Sequence, residues 1–233
     1  MIQQNVGASE NLFKIVTKKS NNLQKFIFFS SLAAMGFQRG LSVGNDTKPE
    51  PDTIYGESKY IAEQKLEQLA SENDTPLVII RPSLVYGPGD RTSDFLNSCR
   101  LINKGFFPIF GTGKNIMSPV IFIDDLIEIC HRFSVTKSVG KYICCNDEKF
   151  TIMDFVKIIA SNFNKKNGSL KIPVVLGQIL ITPIELLCKV LNKPAPLNRR
   201  RVMDLSVDRK LHSIHSALKD AIDYEPETNL QMG

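Results

Sequence analysis

The stretch TPLVIIRP, Thr75–Pro82, is apolar at consecutive positions instead of alternating with polar residues, and Pro82 ends it. A strand with one face in water alternates; one that is apolar at every step is covered on both faces, as in a parallel sheet between helices. Parallel strands need crossover connections, and the flanking sequence supplies them. LQKFIFFSS reads as a strand over Gln24–Phe29, and GKYICCN as another over Lys141–Cys144. Helices are predicted over Asn5–Lys19, over Phe95–Lys104, and from Tyr55 to Ser71 with apolar positions Ile61, Ala62, Leu66 and Leu69. SPVIFIDDLIEICHRF turns from a short strand into a helix with Asp124 and Asp125 at its head, where the helix dipole favours acids. TIMDFVKIIASNF is a helix capped by Thr151, with Asp154 three residues on. Segment 36–53, rich in Gly, Pro and polar residues, is a long loop. Strands alternating with helices define an α/β fold.

The 233 residues, 42% hydrophobic and 23% charged, suit a soluble globular protein of one large or two small domains. A net charge of +5 is mild, so nucleic acid is not an expected partner; the densest basic run is NRRRV, Asn198–Val202. Five cysteines without CxxC spacing and three histidines give no metal cluster, and reduced thiols fit a cytoplasmic location. The opening MIQQNVGASENLFKIV lacks the basic start and apolar core of a signal peptide. Ile172–Leu191 approaches the length of a membrane span, but Pro173, Pro183, Glu185 and Lys189 interrupt it. It reads as a buried or amphipathic helix, with docking on a membrane surface as the secondary reading.

In DTIYGESKYIAEQKL, Tyr55 and Lys59 are four residues apart and rise from one face of their helix. An ammonium beside a phenol favours the phenolate, which makes the pair a base near neutral pH; it is equally an ordinary pattern of helix surfaces. Ser30 and Ser31 end the first strand, and ligands of open α/β sheets bind beyond the carboxyl ends of strands. Ser31, Tyr55 and Lys59 can therefore converge on one substrate oxygen, a chemistry for moving a proton while a hydride moves at carbon.

FIFFSSLAAMG, YGESK and IIRPSLVYGPGD, in that order and spacing, resemble the extended short-chain dehydrogenase/reductase superfamily, whose members include nucleotide-sugar epimerases and dehydratases and 3β-hydroxysteroid dehydrogenases. The resemblance implies that Tyr55 is the catalytic acid and base. It makes Lys59 the residue that lowers the phenol's pKa and holds the nicotinamide ribose, and Ser31 the donor to the reacting oxygen. Asn5 would stand near the cofactor, and the backbone of Pro82, Ser83 and Leu84 would pass the nicotinamide. The implied cofactor is NAD or NADP, and the implied partner is a small-molecule substrate, a sugar nucleotide or a sterol-like secondary alcohol.

The departures are specific. Leu84 stands where many sugar-nucleotide enzymes carry asparagine, Ser118 where an arginine often meets the diphosphate, and SIHSA, Ser213–Ala217, where DxSKA is frequent. The glycine fingerprint of the dinucleotide site and its acidic partner are not in this sequence; Gly87 and Gly89 with Thr92 imitate it inside a proline-containing turn. The expected plan is an N-terminally truncated, Rossmann-like parallel sheet lacking its first strands over residues 1–150, with 83–118 contributing to the substrate region. A smaller, mostly helical substrate-binding region follows over 151–233. Two functions follow: an NAD(P)-dependent epimerase, dehydratase or dehydrogenase, or a non-catalytic substrate-binding fragment without its own cofactor site. Apolar Leu12, Ile15 and Val16 on the first helix would be uncovered, so self-association, a homodimer included, is expected.

Overall fold

The computed structural model describes residues 2–20, 22–38, 41–90, 94–117, 119–146, 149–166, 168–191, 198–212 and 214–231, with the side chains of 2–5, 94, 184, 189, 200 and 201 left out. The first half runs α1 (Ile2–Lys19), β1 (Phe26–Phe29), a 3-10 turn (Leu32–Met35), β2 (Ser42–Val43), α2 (Ile54–Glu72), β3 (Leu77–Pro82), β4 (Leu84–Tyr86), α3 (Asp94–Asn103) and β5 (Phe107–Phe110). The second half runs β6 (Val120–Phe122), α4 (Ile123–Val135), β7 (Gly140–Cys144), α5 (Ile152–Asn162), β8 (Ser169–Ile172), α6 (Val174–Val190), α7 (Arg199–Asp204), β9 (Lys210–Leu211) and α8 (Ile214–Ile222).

Two compact units emerge: Met1–Pro88 with Pro119–Asp147 and Leu211–Gly233, and Gly89–Ser118 with Glu148–Lys210. The units thus interleave along the chain: Gly89–Ser118 joins the second unit, close to the 83–118 segment that the sequence assigned to the substrate region, whereas residues from Leu211 onward group with the first unit.

In the first unit, β1, β3 and β7 form a parallel sheet in the order β1-β3-β7, with Phe26 opposite Leu77 and Ile80 opposite Tyr142. The unbroken apolar run of β3 has its predicted cause. Leu77, with Phe26 and Phe28 of β1, packs against Phe13 of α1 and Leu66 and Leu69 of α2. Val78 and Ile80 turn the other way, into Leu126, Ile129 and Phe133 of α4 and Leu218 and Ile222 of α8. Helices therefore cover both faces. At the foot of β1, Lys25 donates to the carbonyls of Phe133, Thr136 and Ser138, supplying partners to the carbonyl end of α4. Leu12 and Ile15 are exposed as the sequence suggested, and Val16 is half-buried.

A parallel pair of β4 and β6 also belongs to this unit, and the chain's last segment is fastened beside it. Asp125 at the head of α4 accepts from the Tyr224 hydroxyl at 2.7 Å and from the backbone N–H groups of Glu227 and Thr228. The Tyr86 hydroxyl donates to the Asn229 carbonyl, and the Asn146 amide to that of Thr228. Burial and the Asp125 carboxylate together push the Tyr224 phenol far above its ordinary pKa.

Helices predominate in the second unit, and β5 and β8 add one parallel pair within it, Phe107 opposite Ser169. β8 takes Ser169–Ile172, so the long apolar helix begins only after Pro173. The predicted cap at Thr151 is a full capping box with Asp154. Hydrogen bonding to Thr151 holds the Asp154 carboxyl below its usual range.

Candidate active site

The site forms where β1 ends. Ser31 is extended, at φ −163° and ψ 150°, and its Oγ accepts the Ala33 N–H at 3.1 Å, capping the 3-10 turn. The hydroxyl hydrogen is not used in that bond and remains available for donation. Gly36 closes the same turn at φ +74°.

Helix α2 begins against this turn. Thr53 caps it by accepting the Gly56 N–H at 3.0 Å. Gly56 is buried, and a Cβ on it would lie 2.2 Å from the Ala33 carbonyl oxygen, so only glycine lets the first turn of α2 reach the turn that Ser31 caps. That contact explains the glycine of YGESK physically and sets Tyr55, 44% exposed, next to the Ser31 turn. Gly56→Ala should force the two elements apart and cost about 1–3 kcal/mol, the usual range for overpacking, measurable as a shifted denaturant midpoint.

Lys59, one turn on, donates to the Phe29 carbonyl at 2.9 Å, which fixes its ammonium at the carboxyl end of β1. The Nζ lies 6.0 Å from the centroid of the Tyr55 ring and 5.2 Å from that of Phe28. Burial lowers the Lys59 pKa, and the charge of Glu63 opposes that shift.

Beneath these residues lies an ion pair that the sequence reading missed. Glu63 and Arg81 are 0% and 1% exposed. Arg81 grips the carboxylate through Nε at 3.0 Å and Nη2 at 2.6 Å, and the Ser30 hydroxyl donates to the same carboxylate. One carboxylate therefore ties the end of β1, α2 and β3 together, one residue from Ser31 and one turn from Lys59. Its sequence signal was Arg81 itself, a charge inside a strand covered on both faces, which requires a buried partner.

Of the residues the resemblance assigned to the cofactor, Pro82 is buried and pairs with Cys144 at the end of β3, and Leu84 opens β4. Between them the Ser83 N–H donates to the Cys144 carbonyl, while its buried Oγ has no hydrogen-bond partner among the described residues. An orphaned hydroxyl at a sheet's carboxyl edge is a group that a ligand satisfies. The backbone of Asn5 lies in α1 and its side chain falls outside the described residues, as do Ser118, Thr92 and Ser213. Among the described residues no cluster of His, Cys, Asp and Glu suits a metal ion.

The family model described as "NAD dependent epimerase/dehydratase family" matches residues 1–143, and the chain belongs to that family. It is similar to the UDP-glucose 4-epimerase of Vibrio cholerae, 30% identical over 176 residues that cover 73% of this chain and 52% of that protein. It is also similar to the decarboxylating sterol-4-alpha-carboxylate 3-dehydrogenase of Schizosaccharomyces pombe, 24% identical over 242 residues, 98% of this chain and 69% of that one. The chain spans about half the length of the first of these. Among solved structures it resembles UDP-glucuronic acid 4-epimerase from Bacillus cereus in complex with NAD, with TM-score 0.73 and 20% identity over 98% of this chain and 62% of that one. RMD from Pseudomonas aeruginosa complexed with NADPH matches at TM-score 0.72 and 16% identity, over 99% and 70%. The fold shared with these proteins is the Rossmann-like parallel sheet between helices.

Proposed function

We propose that this chain carries the proton-transfer site of an NAD(P)-dependent epimerase, dehydratase or dehydrogenase acting on a secondary alcohol. The observation that carries the reading is the pinning of Ser31, Tyr55 and Lys59 to one edge of the sheet by the Gly56–Ala33 contact, the Lys59–Phe29 bond and the Glu63–Arg81–Ser30 network. The named relatives act on sugar nucleotides and on sterol carboxylates, and a ring hydroxyl is the feature both classes offer.

The residues present fit the nicotinamide end of the cofactor: Lys59 supplies a fixed cation, and Ser83 an unsatisfied hydroxyl. When bound, the nicotinamide supplies the hydride acceptor or donor. The Tyr55 phenol takes the proton from the substrate hydroxyl, or returns it, as general base or acid. Ser31 donates its free hydrogen to the same substrate oxygen and holds it in line. Lys59 places a positive charge beside the phenol and offers its remaining hydrogens to the ribose.

Calorimetric titration of the whole chain with NADH tests the reading. Binding that Lys59→Ala weakens by about tenfold or more, as loss of a charge-assisted hydrogen bond entails, supports it. A second reading is a substrate-binding module without a cofactor of its own. A chain that binds neither NADH nor NADPH yet binds a sugar nucleotide or sterol would establish that second reading.

A further inference from the structure

Helix α6 carries apolar residues on both sides. Inward, Val174 and Ile181 pack with Phe110, Ile172 and Val202. Outward, at 3.6 residues per turn, Val175, Ile179, Leu180, Leu186, Leu187 and Val190 share an arc of about 140° that holds only Val, Leu, Ile and Pro. These six side chains are 54–76% exposed. Exposed aliphatic residues in such number on one helix face form a patch that monomeric soluble proteins rarely leave bare.

Charge identifies what covers it. The unit that holds α6 has 16 Lys and Arg against 7 Asp and Glu, net +9, whereas the rest of the chain has 13 against 17, net −4. Helix α7, which packs on α6, opens with Arg199, Arg200 and Arg201. Arg199 reaches Glu185 of α6 at 3.8 Å. A second copy of this face would bring net-positive surfaces together, and the arc offers no aromatic anchor of the kind that protein interfaces favour. An anionic lipid surface accepts both features: acyl chains take the arc, and headgroups take the cations.

We propose that α6 docks this unit on an anionic membrane surface, lying in the plane of the interface. Among the described residues no helix is long and apolar enough to cross a bilayer. Pro183 inside α6 removes one backbone donor and leaves the Ile179 carbonyl without its usual helical partner. That group is costly in a hydrocarbon core and easily satisfied at the wet interface. The inference goes beyond the proposed chemistry and does not depend on it.

The whole chain is tested by flotation with phosphatidylcholine vesicles, with and without phosphatidylserine. Flotation that requires phosphatidylserine and falls with added salt is the expected result. Leu180→Asp with Leu187→Asp should abolish it while leaving the thermal melt unchanged, because both side chains point away from the unit's core. Arg199→Gln, Arg200→Gln and Arg201→Gln together should weaken it by roughly fivefold per charge removed. A wild-type chain that stays at the bottom with both vesicle types overturns the proposal. So does a concentration-dependent dimer, seen by light scattering, that Leu180→Asp dissociates while vesicles capture nothing; a second copy is then the cover. Equal flotation with neutral and anionic vesicles removes the role assigned to charge and overturns it as stated.

Discussion

Glu63→Gln is expected to remove about 3–5 kcal/mol of folding stability, the range for a buried ion pair that loses one member. The substitution keeps the shape and one acceptor but leaves the Arg81 guanidinium, 1% exposed, without a compensating charge. A domain with a total of about 5–15 kcal/mol loses much of its margin by that change, so urea denaturation reads it directly. The double variant Glu63→Met with Arg81→Met should recover most of the loss, because packed apolar residues of similar volume often replace a buried pair at no cost. A single-variant loss under about 1 kcal/mol, the size expected of an exposed pair, would show that the carboxylate does not bind the elements together.

Tyr55→Phe is expected to lower turnover by about 10²–10⁴-fold, the usual contribution of a positioned acid–base group. The phenyl ring stays, and Tyr55 is 44% exposed, so stability and NADH affinity should change little. The contrast with Lys59→Ala, which should damage cofactor binding as well, separates the two roles. Net nicotinamide absorbance follows a dehydrogenase; an epimerase restores its cofactor each turnover and needs product analysis. Full turnover by Tyr55→Phe would reduce the pair to ordinary helix surface.

The strands that the sequence revealed are those with continuous apolar runs. β3 announced itself because helices cover both its faces, and β1 and β7 because of their apolar runs, that of β1 ending in two serines. The short strand β6 was read before α4, but the three-residue β4 and the two-residue β2 and β9 pair carry too few positions for a period to appear. α8 was legible and overlooked: Ile214, Leu218 and Ile222 recur at four-residue spacing and are all buried. In the site, spacing placed Tyr55 and Lys59 on one helix face and the end of the first strand brought Ser31 to them, while the resemblance was needed to assign each its role. Arg81 inside β3 signals that a buried partner exists, but that Glu63 is the partner depends on two elements meeting at one depth, which no local pattern encodes. The stretch that forms α6 left two readings open, a buried or amphipathic helix and membrane-surface docking, for the opposite reason. Apolar spacing says that a face is to be covered, and in this helix two faces carry the same signal.

The interleaving of the two units has a consequence for how the molecule comes into being. A ribosome delivers residues in order, so α1 to β4 emerge before any of the second unit, whose two segments emerge before and after α4 and β7. The first unit then waits, its α4 face uncovered by α8, until the chain from Leu211 onward leaves the exit tunnel. Only then do Tyr224, Glu227 and Thr228 reach Asp125, and Asn229 reach Tyr86. Closure of the first unit is thereby deferred until the second unit has been made, and the side of the Leu126–Ile129–Phe133 cluster that Leu218 and Ile222 cover stays open for that interval. That interval is when a chaperone has something to hold.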